Sequence, residues 1–192
     1  MTSTAIARIE RLMSLATGDE KHDSSSLSTL DVLWVLYDRI LRFDPENPRW
    51  ENRDRFVLSK GHGCVSYYAI LADKGFLPIS TLETFMQYDS ILGAHPDRNH
   101  DSRVFVLVGD GECNEGSIWE AVLLAGNQQL SNLICIAINN HSSSLELGDL
   151  AAKFAAFGWA STTIDGHDHE QIYESLSHRD STHPTAIIAE VG

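Results

Sequence analysis

The chain has 192 residues, 43% of them hydrophobic and 21% charged, an ordinary globular composition long enough to bury one sizeable core. Its 14 basic residues against 27 acidic ones leave a formal charge of −13, which argues against nucleic acid or an anionic membrane as a partner. Arg8, Glu10 and Arg11 interrupt the first turns, no apolar run approaches the roughly 20 residues that span a bilayer, and the three cysteines lack metal-ligand spacing, so a cytoplasmic protein with no membrane contact is expected.

Ile6, Ile9, Leu12, Met13 and Ala16 fall on one stripe and predict a helix over 4–16. A polar loop over 18–26 carries His22, and Ser28 or Thr29 is placed to cap a helix over 30–41. Pro45 and Pro48 stop that helix, and an extended stretch then enters a short strand that ends at Ser59-Lys60-Gly61-His62. Arg53 and Arg55 are expected to pair with local carboxylates. Helices over 67–75, with Gly75 as its cap, and over 80–88 lead to a loop holding Gly93-Ala94-His95-Pro96. On the residues alone, each of these histidines reads as readily as a solvated loop side chain as it does as a functional one.

The most informative stretch follows. The apolar run Val104-Phe105-Val106-Leu107-Val108 ends at Gly109-Asp110-Gly111-Glu112, and a second run, residues 133–138, ends at Asn139-Asn140. Between them Ile118, Trp119, Val122, Leu123 and Leu130 predict an amphipathic helix over 115–129. A strand-helix-strand unit of this kind has parallel strands and a right-handed crossover, so both strands end at the edge where open α/β sheets bind ligands. Asp110 and Asn140 are then positioned to converge. One charged and one neutral oxygen donor suit Mg²⁺ when phosphate oxygens complete its octahedron, and Gly109 and Gly111 let backbone N–H groups approach an anion. The plainer reading makes them strand-end turn residues and N-caps. The Asn pair one βαβ unit later favours the metal-bridged diphosphate. Cys113 beside this turn is a candidate reactive thiol, although ordinary packing is the favoured reading for all three cysteines.

A helix over 147–157 closed by Gly158, a strand over 160–164, a helix over 170–176 and a strand over 185–191 complete the pattern. Asp168 reads as an N-cap rather than as half of a catalytic pair with His167. The expected fold is α/β, a mostly parallel sheet flanked by helices, in one domain spanning 1–192.

Gly109-Asp110-Gly111 followed thirty positions after the aspartate by Asn140 resembles the thiamin diphosphate motif, and Gly-Asp-Gly-Glu-Cys-Asn-Glu-Gly-Ser-Ile-Trp-Glu-Ala over 109–121 resembles its transketolase form. The Asn-Arg-Asp-Arg-Phe-Val-Leu-Ser-Lys-Gly-His segment ending at His62 is similar to the same family. The resemblance implies a thiamin-diphosphate-binding (PP-type) domain of transketolase N-terminal type. It implies Mg²⁺ held by Asp110, Asn140 and the Ser142 carbonyl, and a cofactor contacted by His62, Gly109, Asp110, Gly111, Glu112 and Asn140. It also implies a substrate, a sugar or sugar phosphate, oriented by His22 and His95, which exchange protons with it. Glu115 and Glu120 would lie at a subunit interface in a carboxylate network linking active sites.

There are departures. Asp23-Ser24-Ser25 replaces the family's Pro-Gly-Gly after His22, and Ala94 separates Gly93 from His95. Between His95-Pro96 and Val104 the family carries several tens of residues, including a Gly-x-Leu-Gly-x-Gly segment, where this chain has only 97–103; the stretch after Asn140 is also short. Either the loops are lost and cofactor binding with them, or the protein carries segments there beyond these residues; the intact motifs on both sides favour the second. The family's pyrimidine-binding domain has no counterpart here, so the resemblance implies a subunit of a split enzyme, active as a heterotetramer with a C-terminal transketolase-like chain that carries it. Its reaction would be transfer of a two-carbon ketol unit from a ketose to an aldehyde. A related acyl or acetaldehyde transferase, a noncatalytic interaction subunit and a Mg²⁺-dependent phosphohydrolase are the alternatives.

Overall fold

A computed structural model describes residues 3–16, 23–60, 63–84, 103–178 and 180–192. Strands β1 (Arg55–Leu58), β2 (Val104–Gly109), β3 (Leu133–Asn139), β4 (Ala160–Asp165) and β5 (Thr185–Glu190) form one parallel sheet in the order β1-β2-β3-β5-β4. The β2–β3 register runs from Val104 opposite Leu133 to Gly109 opposite Ile138, so these strands end level with each other, as the βαβ pattern requires. The α/β class and the parallel sheet flanked by helices are those expected from the sequence.

Period-two alternation divides the interior into two layers. Phe105, Leu107, Ile134, Ile136, Ile138, Ile187 and Ala189 face helices α1 (Ser3–Leu15), α2 (Asp23–Val35) and α3 (Cys64–Asp73). Val108, Cys135, Ala137, Ala186 and Ile188 face α4 (Gly116–Asn127) and α5 (Leu150–Ala156), while α6 (His169–Ser177) returns to the first layer through Ile172 and Leu176. Cys135 is accordingly inert packing, its thiol pushed up to about 12 chiefly by burial.

Several boundaries differ from expectation. Helix α2 begins at Asp23, so Ser28 and Thr29 lie inside it and do not cap it. The Thr29 hydroxyl donates to the Ser26 carbonyl at 2.8 Å and lies 2.8 Å from the Ser66 Oγ of α3, so packing between two helices overrides the turn preference of a serine run. The helix then ends in a π turn over Leu36–Ile40, well before Pro45. In place of the helix over 80–88, Ile79–Thr84 is a 3₁₀ turn, and residues 85–88 lie outside the described residues. Arg53 and Arg55 donate to backbone carbonyls of Trp50, Glu51 and Arg53 rather than to carboxylates. The carboxylate that organises this segment is Asp54, whose side chain is fully buried against Arg42 and Arg103.

Helix α4 also packs differently from its stripe. It meets the sheet through Val122, Ala125 and Gly126, while Leu123 and Leu124 are 47% and 57% exposed. Gly126 permits this approach: a Cβ there would lie 1.9 Å from the Phe157 carbonyl oxygen, at the turn where Trp159 donates through Nε1 to the Val122 carbonyl at 2.9 Å. The obstacle is backbone and cannot rotate away. Gly126→Ala is expected to cost about 2–3 kcal/mol despite alanine's better helix propensity, read as a lowered urea midpoint at unchanged slope.

Candidate functional site

The carboxyl ends of β2 and β3 bring Asp110 and Asn140 together. Asp110 extends the ladder, its N–H donating to the Ile138 carbonyl at 2.9 Å, and then caps a 3₁₀ turn over Gly111–Asn114. Its side chain is 99% removed from solvent at the residue level, with 1% exposure, and accepts from the N–H groups of Gly111 at 2.8 Å, Ser142 at 2.8 Å and Ser143 at 3.1 Å. The Ser142 hydroxyl lies 3.1 Å from Asp110 Oδ1 and 2.6 Å from Asn140 Oδ1, so one atom touches an oxygen of each residue. His141, between Asn140 and Ser142, has φ of 55°, the left-handed bend that turns the loop back over Asp110.

These donors suit Mg²⁺ by type, since a carboxylate and an amide oxygen that share a common neighbour are hard ligands; in this structure the N–H and hydroxyl groups of the 140–143 loop occupy them. A Cβ placed on Gly111 would meet nothing within 4 Å, so the space over the turn is open to a ligand approaching its backbone. Glu112 instead folds back, accepting from the Gly109 N–H at 2.7 Å and from the Ser59 hydroxyl, and so ties the turn to the end of β1.

Gly109 serves packing. A Cβ there would come within 3.3 Å of the Cγ and Cδ of Lys60, whose stem lies across the glycine while its ammonium donates to Ser28 Oγ at 3.3 Å. Lys60 is 7% exposed. Burial lowers its pKa, and the charges of Asp110 and Glu112 pull the other way. From the sequence, Ser59-Lys60-Gly61-His62 brings donors to a strand end, but the family resemblance assigns a specific role only to His62 among them.

Cys113 is buried beneath the turn and its thiol is pushed up to about 11, first by burial and then by Glu112 and Asp110. It is a packing residue, not a reactive thiol. Asp168 caps α6, accepting from the N–H groups of Glu170 and Gln171, and His167 pairs with Asp31 rather than with Asp168. Glu115 and Glu120 are both exposed at the start of α4, beside Leu123 and Leu124. His22, His62 and His95, and the loop over 93–96, lie outside the described residues.

Comparison with known proteins agrees with this geometry. The family model described as transketolase, thiamine diphosphate binding domain, matches residues 3–104 and 98–191, two runs that meet at the stretch found short in the sequence. The chain is 40% identical over 212 residues to "Ferredoxin fas2" of Rhodococcoides fascians, covering 94% of this chain and 70% of that one. It is 33% identical over 205 residues to "6-deoxy-6-sulfo-D-fructose transketolase subunit SqwG" of Clostridium sp. (strain MSTE9), covering 88% and 74%. Both alignments run longer than the 192 residues of this chain, so the relatives carry residues that it lacks. Human transketolase is 30% identical over 95% of this chain, which spans only 35% of it. The crystal structure of transketolase from Campylobacter jejuni superposes with a TM-score of 0.76 at 24% identity, over 99% of this chain and 38% of that one, and shows the same fold. The buried aspartate, the asparagine one βαβ unit later and the chain-long family match lead to one conclusion: this chain belongs to the transketolase family, as its thiamine diphosphate-binding domain.

Proposed function

We propose that the chain is a single diphosphate-binding domain acting as one subunit of a split, thiamin-diphosphate-dependent transketolase. It would work as a heterotetramer with a separate chain that carries the pyrimidine-binding domain, and would transfer a two-carbon ketol unit from a ketose or its phosphate to an aldehyde. The observation that carries this reading is the meeting of Asp110 and Asn140 on one atom at the carboxyl edge of the sheet. The 74% coverage of SqwG, named as a transketolase subunit, supports the split arrangement.

In this reading Asp110, Asn140 and the Ser142 carbonyl hold Mg²⁺, and Gly111 and His62 receive the diphosphate. Thiamin diphosphate, when bound, supplies the nucleophilic carbon for breaking and remaking the ketose carbon–carbon bond. His22 and His95 orient the sugar hydroxyls and move protons to and from them. Glu115 and Glu120 meet the partner chain, and the exposed Leu123 and Leu124 on the same helix give that contact its apolar area.

The test is titration of Mg²⁺ and thiamin diphosphate into the complex with the pyrimidine-domain chain, followed by a ketose-plus-aldehyde assay. Saturable cofactor binding and ketol transfer are expected. Binding without ketol transfer would point to the acyl or acetaldehyde transferase, and no binding would leave a noncatalytic subunit. Glu115→Gln, which removes a charge from the proposed interface, is expected to slow cofactor activation in the complex by about 10-fold or more while leaving the melting temperature of the isolated chain unchanged. Unchanged activation would remove Glu115 from the network.

A further inference from the structure

Among the described residues the Gly109–Gly111 turn carries negative charge, and a bound diphosphate would call for cations beside it. Asp110 and Glu112 are both carboxylates on this turn, and a diphosphate brings further negative charge to the same edge. A divalent metal offsets the two carboxylates, which leaves the phosphate oxygens to be met by N–H groups and by any cation within reach.

Lys60 is that cation. It stands at the carboxyl end of β1, next to the end of β2, and its backbone N–H still bonds to the Leu107 carbonyl at 3.3 Å, so the residue is anchored to the sheet edge. Its stem is laid across Gly109, in a contact close enough that a Cβ there would come within 3.3 Å of it. Among the described residues no carboxylate is within 4.0 Å of its ammonium, whose partner is the neutral Ser28 hydroxyl at 3.3 Å. A lysine that is 7% exposed, with a neutral hydroxyl as its direct partner and Asp110 and Glu112 acting on it only from beyond ion-pair distance, is incompletely compensated for its desolvation. Such an arrangement is costly for folding alone and well suited to receiving an anion. The hydrogen bond to Ser28 ties the ammonium to α2, beside the Gly109–Gly111 turn that the stem crosses.

We propose that Lys60 is a binding residue for the cofactor's diphosphate, its ammonium exchanging the Ser28 hydroxyl for phosphate oxygen. This rests on the thiamin diphosphate reading above and adds to it a residue and a charge.

Calorimetric titration of the full-length protein in its native assembly, with Mg²⁺ plus thiamin diphosphate and separately with Mg²⁺ plus inorganic diphosphate, tests it. Lys60→Met keeps the stem and removes the charge. It is expected to weaken both ligands by about 10- to 100-fold, as loss of a charge-assisted hydrogen bond does, and to flatten the salt dependence of the Kd. Lys60→Arg should retain affinity to within about 5-fold. The ligand-free melting temperature of Lys60→Met should be unchanged or raised. Equal affinity of Lys60→Met and the natural protein overturns the proposal, as does a loss shared by Lys60→Arg and accompanied by a lower ligand-free melting temperature, the signature of a merely structural lysine. Asp110→Ala separates the two readings: if it abolishes binding while Lys60→Met does not, only the role of Lys60 fails, whereas a natural protein that binds neither ligand overturns both.

Discussion

Replacing Asp110 by asparagine is expected to weaken Mg²⁺-dependent thiamin diphosphate binding by at least about 100-fold, more than the loss of an outer-shell partner usually costs. The substitution keeps the shape of the side chain but removes its charge. It also sets an NH₂ group against donors, because the carboxylate accepts from Gly111, Ser142 and Ser143 on both of its oxygens. One oxygen of the amide can still accept; the other position faces N–H with N–H. A folding cost of about 1–3 kcal/mol should therefore accompany the loss of affinity. Calorimetry with Mg²⁺ and thiamin diphosphate, together with urea denaturation of the ligand-free chain, separates the two effects. Affinity equal to that of the natural protein would remove Asp110 from the metal site.

The largest stability effect is expected at Asp54. Its fully buried carboxylate accepts from the Arg42 guanidinium at 3.0 Å and the Arg42 N–H at 2.7 Å, and from the guanidinium and backbone N–H of Arg103. Arg103 also reaches the Ile40 carbonyl, so a single acid joins the end of the α2 region, the entry to β1 and the entry to β2. Asp54→Ala leaves the mostly buried Arg103 guanidinium and the half-exposed Arg42 one without their shared carboxylate, and a loss of about 3 kcal/mol is expected in chemical denaturation.

The pH dependence has a definite sign. Burial alone would raise the Asp54 carboxyl, but hydrogen bonds from Arg103 and then from Arg42 outweigh it and hold the folded-state pKa below the ordinary carboxylate value. The stabilisation is thus complete above the unfolded-state pKa of about 3.9 and drains away as the pH falls through the lower folded-state value. The difference between the natural chain and Asp54→Ala should be constant from about pH 5 upward and shrink below about pH 4. A difference that persists undiminished into acid would show that the residue acts through packing and not through its charge.

The βαβ unit over 104–139 was legible because its signals are local. Two apolar runs stop at Gly-Asp and Asn-Asn, and parallel pairing then forces their ends together. Asp54 was not legible, because its value comes from Arg103, 49 residues away, while the neighbouring Arg53 and Arg55 suggested a local pairing that the strand geometry directs elsewhere. The start of α2 was hidden by a serine run whose turn preference is outweighed by contacts with α3. Leu123 looked like core because a helical stripe identifies an apolar face without saying whether that face meets this chain's own sheet or another surface; Gly126 took the sheet side, and the two leucines were left outward. Lys60 was overshadowed by His62, and its close contact with Gly109 is one that no periodicity reveals.

The loop over 140–143 supplies partners to Asp110 without any ligand. The N–H groups of Gly111, Ser142 and Ser143 are directed at the buried carboxylate, and the Ser142 hydroxyl lies between it and Asn140, so both carboxylate oxygens have partners within the chain. A metal ion bound there on the proposed reading would have to displace some of these donors from the carboxylate. That displacement would fall on residues 140–143, whose path over Asp110 is set by the left-handed backbone of His141, so the cost of loading the site would be written in this loop and not in the sheet.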